Sequence, residues 1–346
     1  MKGVPSELFD NLENLSWFPF SDEPIIQSHP LQLRVSNPCV LLPEEAPDES
    51  WHLFAHSILG IHHYTSDSGI SWVHQKLLVP GGRFPSIMEE DGNYHLIYEQ
   101  RGRVFPLLGK NSRLRVDDIH HESHIELKIS TDLSIWSRPR HLISGNDIEQ
   151  ASHMRKRPLL SHPQLVSTDH GYRLYMGASS ISEDSRVARY LVSASAPQIL
   201  GPYHQEGKSA LIEAAGNEYY RSLGVGQLMV YGQEGSYKAL ETAYYYDEER
   251  NTNTSSIIVL NSADGFTFPY DENQPILVTS ERGWASGNIR TCVLKYKADE
   301  KCWYCFFSAS AKSGAFPERE SIGLLIGKTP HPRKMDDVTD VVYNQS

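Results

Sequence analysis

A glutamate followed closely by two arginines, at the end of an apolar run, is the first cluster in this 346-residue chain with the means to do chemistry. In Y-H-L-I-Y-E-Q-R-G-R, Glu99 closes a strand-like stretch from Tyr94, and Arg101 and Arg103 come just after it. A carboxylate beside guanidinium groups suits proton transfer or the holding of hydroxyls, and it equally suits a salt bridge bracing the long segment that follows. His153, Arg155 and Arg157 alternate in H-M-R-K-R-P, with His162 shortly beyond. Two guanidiniums on one face suit a phosphate or carboxylate, which Arg binds bidentately, and the ordinary alternative is a basic surface turn. Arg290, further along, could serve the same pocket.

Two other clusters carry metal-like spacing. In D-D-I-H-H-E-S-H, His120, Glu122 and His124 alternate, so an extended chain would place them on one face. They match no stringent zinc motif, and a solvated polar loop is the competing reading. Cys302 and Cys305 form a C-x-x-C, yet W-Y-C-F-F reads as a strand, where positions three apart face opposite sides. Buried structural thiols are therefore expected, and with Cys39 and Cys292 the four cysteines are too few for a disulfide scaffold.

Composition narrows the partners. Lys and Arg number 32 against 43 Asp and Glu, a net charge of −11 with histidines neutral, which argues against general nucleic-acid binding. No apolar run approaches the roughly 18 residues of a membrane span. The start, M-K-G-V-P-S-E-L-F-D, has neither the basic nor the apolar region of a secretory signal, so a cytoplasmic location is expected.

The elements that must position these residues repeat five times. Aromatic-led runs begin at Trp51, Tyr94, Tyr172, Tyr237 and Trp303, spaced 43, 78, 65 and 66 residues apart. Ahead of them lie first strands: N-P-C-V-L-L from Asn37, F-P-S-I-M from Phe84, H-P-Q-L-V from His162, G-Q-L-M-V from Gly226 and I-R-T-C-V-L from Ile289. Proline in second place suits a strand's beginning and little else in a sheet. After four of the runs come S-D-S-G-I-S-W, S-T-D-L-S-I-W, S-A-S-A-P-Q-I-L-G-P and S-A-D-G-F-T-F, turns whose Ser and Asp bond nearby backbone. Short strands, turn chemistry and no long helical period indicate an all-β chain, and repeated four-stranded units indicate a five-bladed β-propeller. The whole chain, 1–346, is expected to form one domain, with 1–30 packed on the ring and antiparallel blades near 35–80, 83–143, 158–208, 224–278 and 286–330. Either the segment from Trp17 to Ile26 or that from Asp336 could close the ring.

Five such blades, with N-P opening the first and the Ser/Asp/Gly turns closing others, resemble the five-bladed propeller glycoside hydrolases, a clan that includes families 43, 32 and 130. The resemblance spans roughly Arg34 to Lys328 and implies an enzyme acting on a small carbohydrate in a central funnel, with no cofactor. A structural calcium on the axis, as in some of those proteins, is conceivable, but no motif for it occurs. The resemblance also implies carboxylates at the first-strand starts, two of them flanking the glycosidic bond as acid and base or nucleophile. Here those positions hold Asn37, Phe84, His162 and Gln227, none of which is an acid. An amide cannot serve as a general base, so the usual catalytic set does not carry over.

The second strands return to the same face, and five positions past each leading aromatic stand His56, Glu99, Gly177, Thr242 and Ser308. Glu99 is thus the expected proton-transfer residue, with Asn37, His56, Arg101, Arg157, His162, Gln227, Glu241 and Arg290 as candidates for substrate binding and no protein ligands for a metal. Glu241 is the odd member, because alternation turns it away from the side that Thr242 faces. Two alternatives stay open: a propeller that binds a sugar or sugar phosphate without catalysis, and a glycoside phosphorylase. Aromatics near loops, among them Trp17, Phe18, Phe20, Tyr219, Tyr220 and Trp284, are candidate sugar platforms, interblade packing being the simpler use. The oligomeric state is not legible.

Overall fold

A computed structural model describes residues 12–29, 34–101, 123–152, 158–180, 187–215, 218–233, 235–270, 275–280, 283–312 and 319–328. Strand β1 (Ser16–Pro19) comes first. The first blade is β2 (Ser36–Leu41), β3 (Trp51–His56), β4 (Gly60–Ser66) and β5 (Val73–Pro80), and the second is β6 (Gly82–Glu90), β7 (Asn93–Arg101), β8 (Ser123–Ser130) and β9 (Arg140–Ser144). The third is β10 (Pro158–Thr168), β11 (Gly171–Ser180) and β12 (Tyr190–Ala196), edged by the short β13 (His204–Gln205) and β14 (Ile212–Glu213). The fourth is β15 (Gly224–Gln233), β16 (Ser236–Asp247), β17 (Thr252–Ser262) and β18 (Leu277–Val278). The fifth is β19 (Asn288–Lys297), β20 (Cys302–Ser310) and β21 (Glu320–Lys328), completed by β1.

Each blade is an antiparallel meander, and the first strands β2, β6, β10, β15 and β19 touch one another in turn around the axis, making a five-bladed propeller. The ring is closed from the amino-terminal side: β1 pairs antiparallel with β21, Trp17 opposite Gly327, and Ile26 bridges Ile322. The segment from Asp336 lies outside the described residues.

The core is divided among the joints between blades. Among the described residues an apolar cluster fills each joint, such as Phe54, Ile61 and Val79 against Tyr94, Leu96 and Tyr98 between the first and second blades. Inner strands such as β3 are consequently buried on both faces, since a blade has a neighbour on each side. Cys302 and Cys305 follow this rule, Cys302 packing toward the first blade and Cys305 toward the fourth. The turns do the bonding their sequences announce. Ser66 Oγ accepts from Gly69 N at 2.9 Å, Asp132 Oδ1 from Ser134 N and Ile135 N at 2.9 and 2.8 Å, and Asp264 Oδ1 from Phe266 N and Thr267 N at 2.8 and 2.7 Å.

Candidate active site at the propeller axis

All five first strands break register with their partners near their starts. An extra residue there bends the strand and re-aims a side chain, a device common beside active sites. Asn37, Phe84 and His162 occupy the irregularity in three blades with φ of 58°, 52° and 49°. Left-handed backbone is costly for Phe and His, so the surrounding fold must impose it.

The second strands finish at the same end and hand polar groups to the next blade. Phe84 N donates to His56 Nδ1 at 3.3 Å, Thr242 Oγ1 to the Arg290 carbonyl at 3.1 Å, and Ser36 Oγ to Ser308 Oγ at 3.2 Å. In the third blade the corresponding residue is Gly177, where an added Cβ would lie 2.5 Å from Ser161 Oγ. In the second blade it is Glu99, wholly buried. Its Oε1 accepts from Arg101 Nε at 2.6 Å and Ser123 Oγ at 2.8 Å, and Ser123 in turn accepts from Leu160 N of the third blade at 3.0 Å. Glu99 Oε2 has no hydrogen-bond partner among the described residues.

Cationic and neutral donors surround this carboxylate. Arg83 pairs with Glu99 across β6 and β7, and its guanidinium is held below the ordinary range by burial and by Arg101 beside it. Arg34 Nη1 and Arg290 Nε approach Glu320 Oε1 at 3.7 and 3.8 Å, and Arg290 lies 5.9 Å from the Tyr244 ring. Burial, reinforced by Arg83 and Arg34, holds His56 well below the usual histidine range. It is neutral, and because Nδ1 accepts from Phe84, the proton sits on Nε2. His162 is pushed down to about 3 by burial and Arg290, and its ring packs 4.1 Å from that of Phe84. Asn37 is buried, and its Nδ2, with Arg34 Nε and His162 Nδ1, lacks a partner among the described residues.

Asn37, His56, Glu99, Arg101, His162 and Arg290 therefore belong to one end of the axis. Gln227 stands at the irregularity of β15, but its Oε1 accepts from Cys292 N at 3.0 Å, joining the fourth blade to the fifth. Glu241 lies on the side of β16 where Ala239 and Ala243 meet the third blade. Arg221 Nη2 donates to Glu241 Oε2 at 2.7 Å and Arg221 Nε to Oε1 at 3.0 Å, and both residues are buried. Burial works to lower the Arg221 pKa, but the carboxylates of Glu241 and Glu218 more than offset it and the guanidinium stays charged. Arg157, with His153, Arg155, Arg103, His120 and Glu122, lies outside the described residues. His124 instead meets Glu126 Oε1 at 3.1 Å. Of the aromatics, Trp17 packs on Gly327, Trp284 stacks on Phe307 at 5.3 Å and Tyr219 and Tyr220 pack on Tyr245, whereas Phe18 and Phe20 are exposed.

Sequence reasoning missed Arg34, Arg83 and Glu320. Arg83 immediately precedes a Phe-Pro strand start, and Arg34 lies three residues before Asn37-Pro38. Glu320 is the first residue of a third strand, and third strands start where second strands end, so topology held the signal. Among the described residues no group of three or more His, Cys, Asp or Glu is arranged to hold a metal ion.

These features define a class: a five-bladed propeller with buried polar and charged groups gathered where its innermost strands begin. Glycoside hydrolases of known structure share this fold. One, described as a glycoside hydrolase, aligns over 98% of this chain and 99% of its own at 10% identity and a TM-score of 0.63. The α-L-arabinanase of Cellvibrio cellulosa complexed with arabinohexaose aligns over 84% of this chain and 91% of its own, at 14% identity and a TM-score of 0.54. A family 117 glycoside hydrolase from Zobellia galactanivorans aligns over 91% of both chains, at 11% identity and a TM-score of 0.55. At these identities the likeness is one of fold. No protein-family model matches the sequence, and no curated protein does.

Proposed function

We propose that the chain is a carbohydrate-active enzyme of glycoside hydrolase type, acting on a glycoside or small oligosaccharide at the axis with a non-standard catalytic set. The observation that carries this reading is Glu99, a fully buried carboxylate with one oxygen anchored by Arg101 and Ser123 and the other without a partner among the described residues. Glycosidic cleavage needs two carboxyl groups across the scissile bond. Glu99 from the second blade is the proton-transfer residue in this reading, and Glu320 from the fifth is a second carboxylate among the described residues of this end. Asn37, His56, Arg101, His162 and Arg290 orient substrate, His56 through its Nε2 hydrogen, and Arg157 is proposed with them from sequence alone. Known structures with this fold include an arabinanase solved with an oligosaccharide, which supports a carbohydrate as the small-molecule partner.

A panel of aryl glycosides and natural disaccharides, each with and without phosphate, tests the proposal. Turnover of one or more members, reduced about 10²- to 10⁴-fold by Glu99→Gln, is the expected result. A requirement for phosphate would move the reading to phosphorolysis. A second reading, binding without catalysis, is favoured by Asn37, Phe84 and His162 standing at strand starts where carboxylates would be needed. It would be supported by a sugar that raises the melting temperature while nothing in the panel is turned over.

A further inference from the structure

The described part of the axial site carries more positive charge than its own carboxylates neutralise. Arg34, Arg83, Arg101 and Arg290 stand against Glu99 and Glu320, with His56 and His162 neutral, so four cations face two carboxylates in a chain whose net charge is −11. Arg101 is committed to Glu99, and Arg34 and Arg290 share Glu320 at the longer distances of 3.7 and 3.8 Å. Arg83 forms no hydrogen bond or close ion pair among the described residues, although it lies half-buried between Arg101, Arg34 and Glu99. Arg34 is one of the charges around it, and β2, which carries Asn37, packs on β6, which carries Arg83; Asn37 Nδ2 and Arg34 Nε are buried donors without acceptors among the described residues. A partly desolvated guanidinium that makes no ion pair of its own is costly, and so is an unmet buried donor, unless a ligand supplies the acceptor. Neutral hydroxyls alone would leave the surplus charge uncompensated, whereas an oxyanion meets both needs in one group.

We propose that this site takes a sugar carrying an oxyanion, either the carboxylate of a uronic acid or a phosphate or sulfate ester, with Arg83, Arg34 and Asn37 forming the seat for the charged group. The inference rests on the reading of the axis as a carbohydrate site and narrows its substrate class. Arg83 supplies the paired N–H donors, Asn37 Nδ2 and Arg34 Nε add single donors, and Glu99 Oε2 is an acceptor unpaired among the described residues, left for a sugar hydroxyl or glycosidic oxygen.

Isothermal titration of the full chain with matched ligands at fixed ionic strength tests it: methyl glucuronide against methyl glucoside, methyl galacturonide against methyl galactoside, glucose 6-phosphate and glucose 6-sulfate against glucose, and inorganic phosphate and sulfate alone. The expected result is that an acidic sugar binds about tenfold or more tightly than its neutral partner. Arg83→Gln should remove that preference and Arg83→Lys should retain part of it, in variants whose melting temperatures show that they fold. Which acidic sugar binds separates the carboxylate source from the ester source. Equal or tighter binding of the neutral partners overturns the inference and leaves the carbohydrate reading standing. Binding of inorganic phosphate or sulfate as tight as that of any acidic sugar also overturns it, because the sugar would then contribute nothing. Failure of every sugar, acidic or neutral, removes both.

Discussion

Arg101 donates its Nε hydrogen to Glu99 Oε1 over 2.6 Å, two positions apart on the last stretch of one strand, and the other carboxylate oxygen has no partner among the described residues. The arginine therefore fixes the direction in which the carboxyl group can act without occupying it. Glu99→Gln preserves shape and removes proton transfer, so activity on any substrate found should fall about 10²- to 10⁴-fold with the far-ultraviolet spectrum unchanged. Arg101→Met should also reduce turnover, by loosening the carboxylate. A Glu99→Gln enzyme with parental kcat would exclude this residue from the chemistry.

The Arg221 and Glu241 pair makes a contrasting case. Both are buried, and the guanidinium binds the carboxylate through Nε and Nη2 and lies 4.8 Å from the Tyr270 ring. Removing one partner strands the other as a buried charge, so Arg221→Met should cost about 3–5 kcal/mol. The double variant Arg221→Met with Glu241→Leu should recover much of that loss. Urea unfolding of the three variants measures it, and a double variant no better than the single one would show that the pair matters for more than charge.

Gly69 takes φ +73° in the turn that closes the first blade, and an added Cβ would lie 2.9 Å from the Trp51 ring. Gly69→Ala should destabilise by about 1–3 kcal/mol through overpacking and left-handed strain. The sister turn of the second blade places Leu133 at φ 59° and buries its side chain between blades one and two. A thermal melt of Gly69→Ala indistinguishable from the parent would show that the indole can shift at no cost.

Stability should begin to fall with acid once the pH drops below about 6.5. His162 and His63 are buried and held down to about 3, in each case chiefly by burial. In the unfolded chain they take up protons below about 6.5. Above that pH neither state binds the proton; as pH drops from about 6.5 toward 3 only the unfolded state does, so folding stability declines by up to about 1.4 kcal/mol per pH unit for each group. Urea midpoints at pH 7, 5.5 and 4.5 should decrease in that order, and less steeply in His162→Gln. Asp132 and Asp264, whose carboxylates are held low mainly by backbone N–H bonds, lose their contribution only below about pH 4. A flat profile between pH 7 and 4.5 would mean that the histidines titrate normally.

Ring closure uses a four-residue strand, β1, together with the bridge of Ile26 to Ile322. Trp17 sits opposite Gly327 so closely that a Cβ on that glycine would approach the indole to 2.7 Å. Deleting residues 1–20 would expose the edge of β21 and open the fifth blade, and should lower the melting temperature by about 4 °C or more. Gly327→Val should mimic part of the loss in the intact chain. A truncated chain that melts with the parent would show that β1 is dispensable.

Much of this molecule was legible without coordinates because a propeller writes its plan locally. The leading aromatics, the Pro-marked strand starts and the Ser/Asp/Gly turns each report one unit, and their fivefold recurrence reported the ring. The count of five past the aromatic found His56, Glu99, Thr242 and Ser308, whose side chains, directly or through Ser123 in the case of Glu99, reach the first strand of the next blade. What the sequence alone did not decide was which blade each polar group meets. Arg83 and Glu320 come from strands of two different blades and Arg34 from the segment leading into β2, and only the closing of the ring brings Arg34 to Glu320 of the fifth blade. The fate of Glu241 depended likewise on Arg221, twenty residues away in a short turn whose position no periodicity encodes. Local pattern determines secondary structure because it acts through neighbours in sequence, whereas charge pairing acts through space, and in a closed ring the decisive neighbours are far apart along the chain.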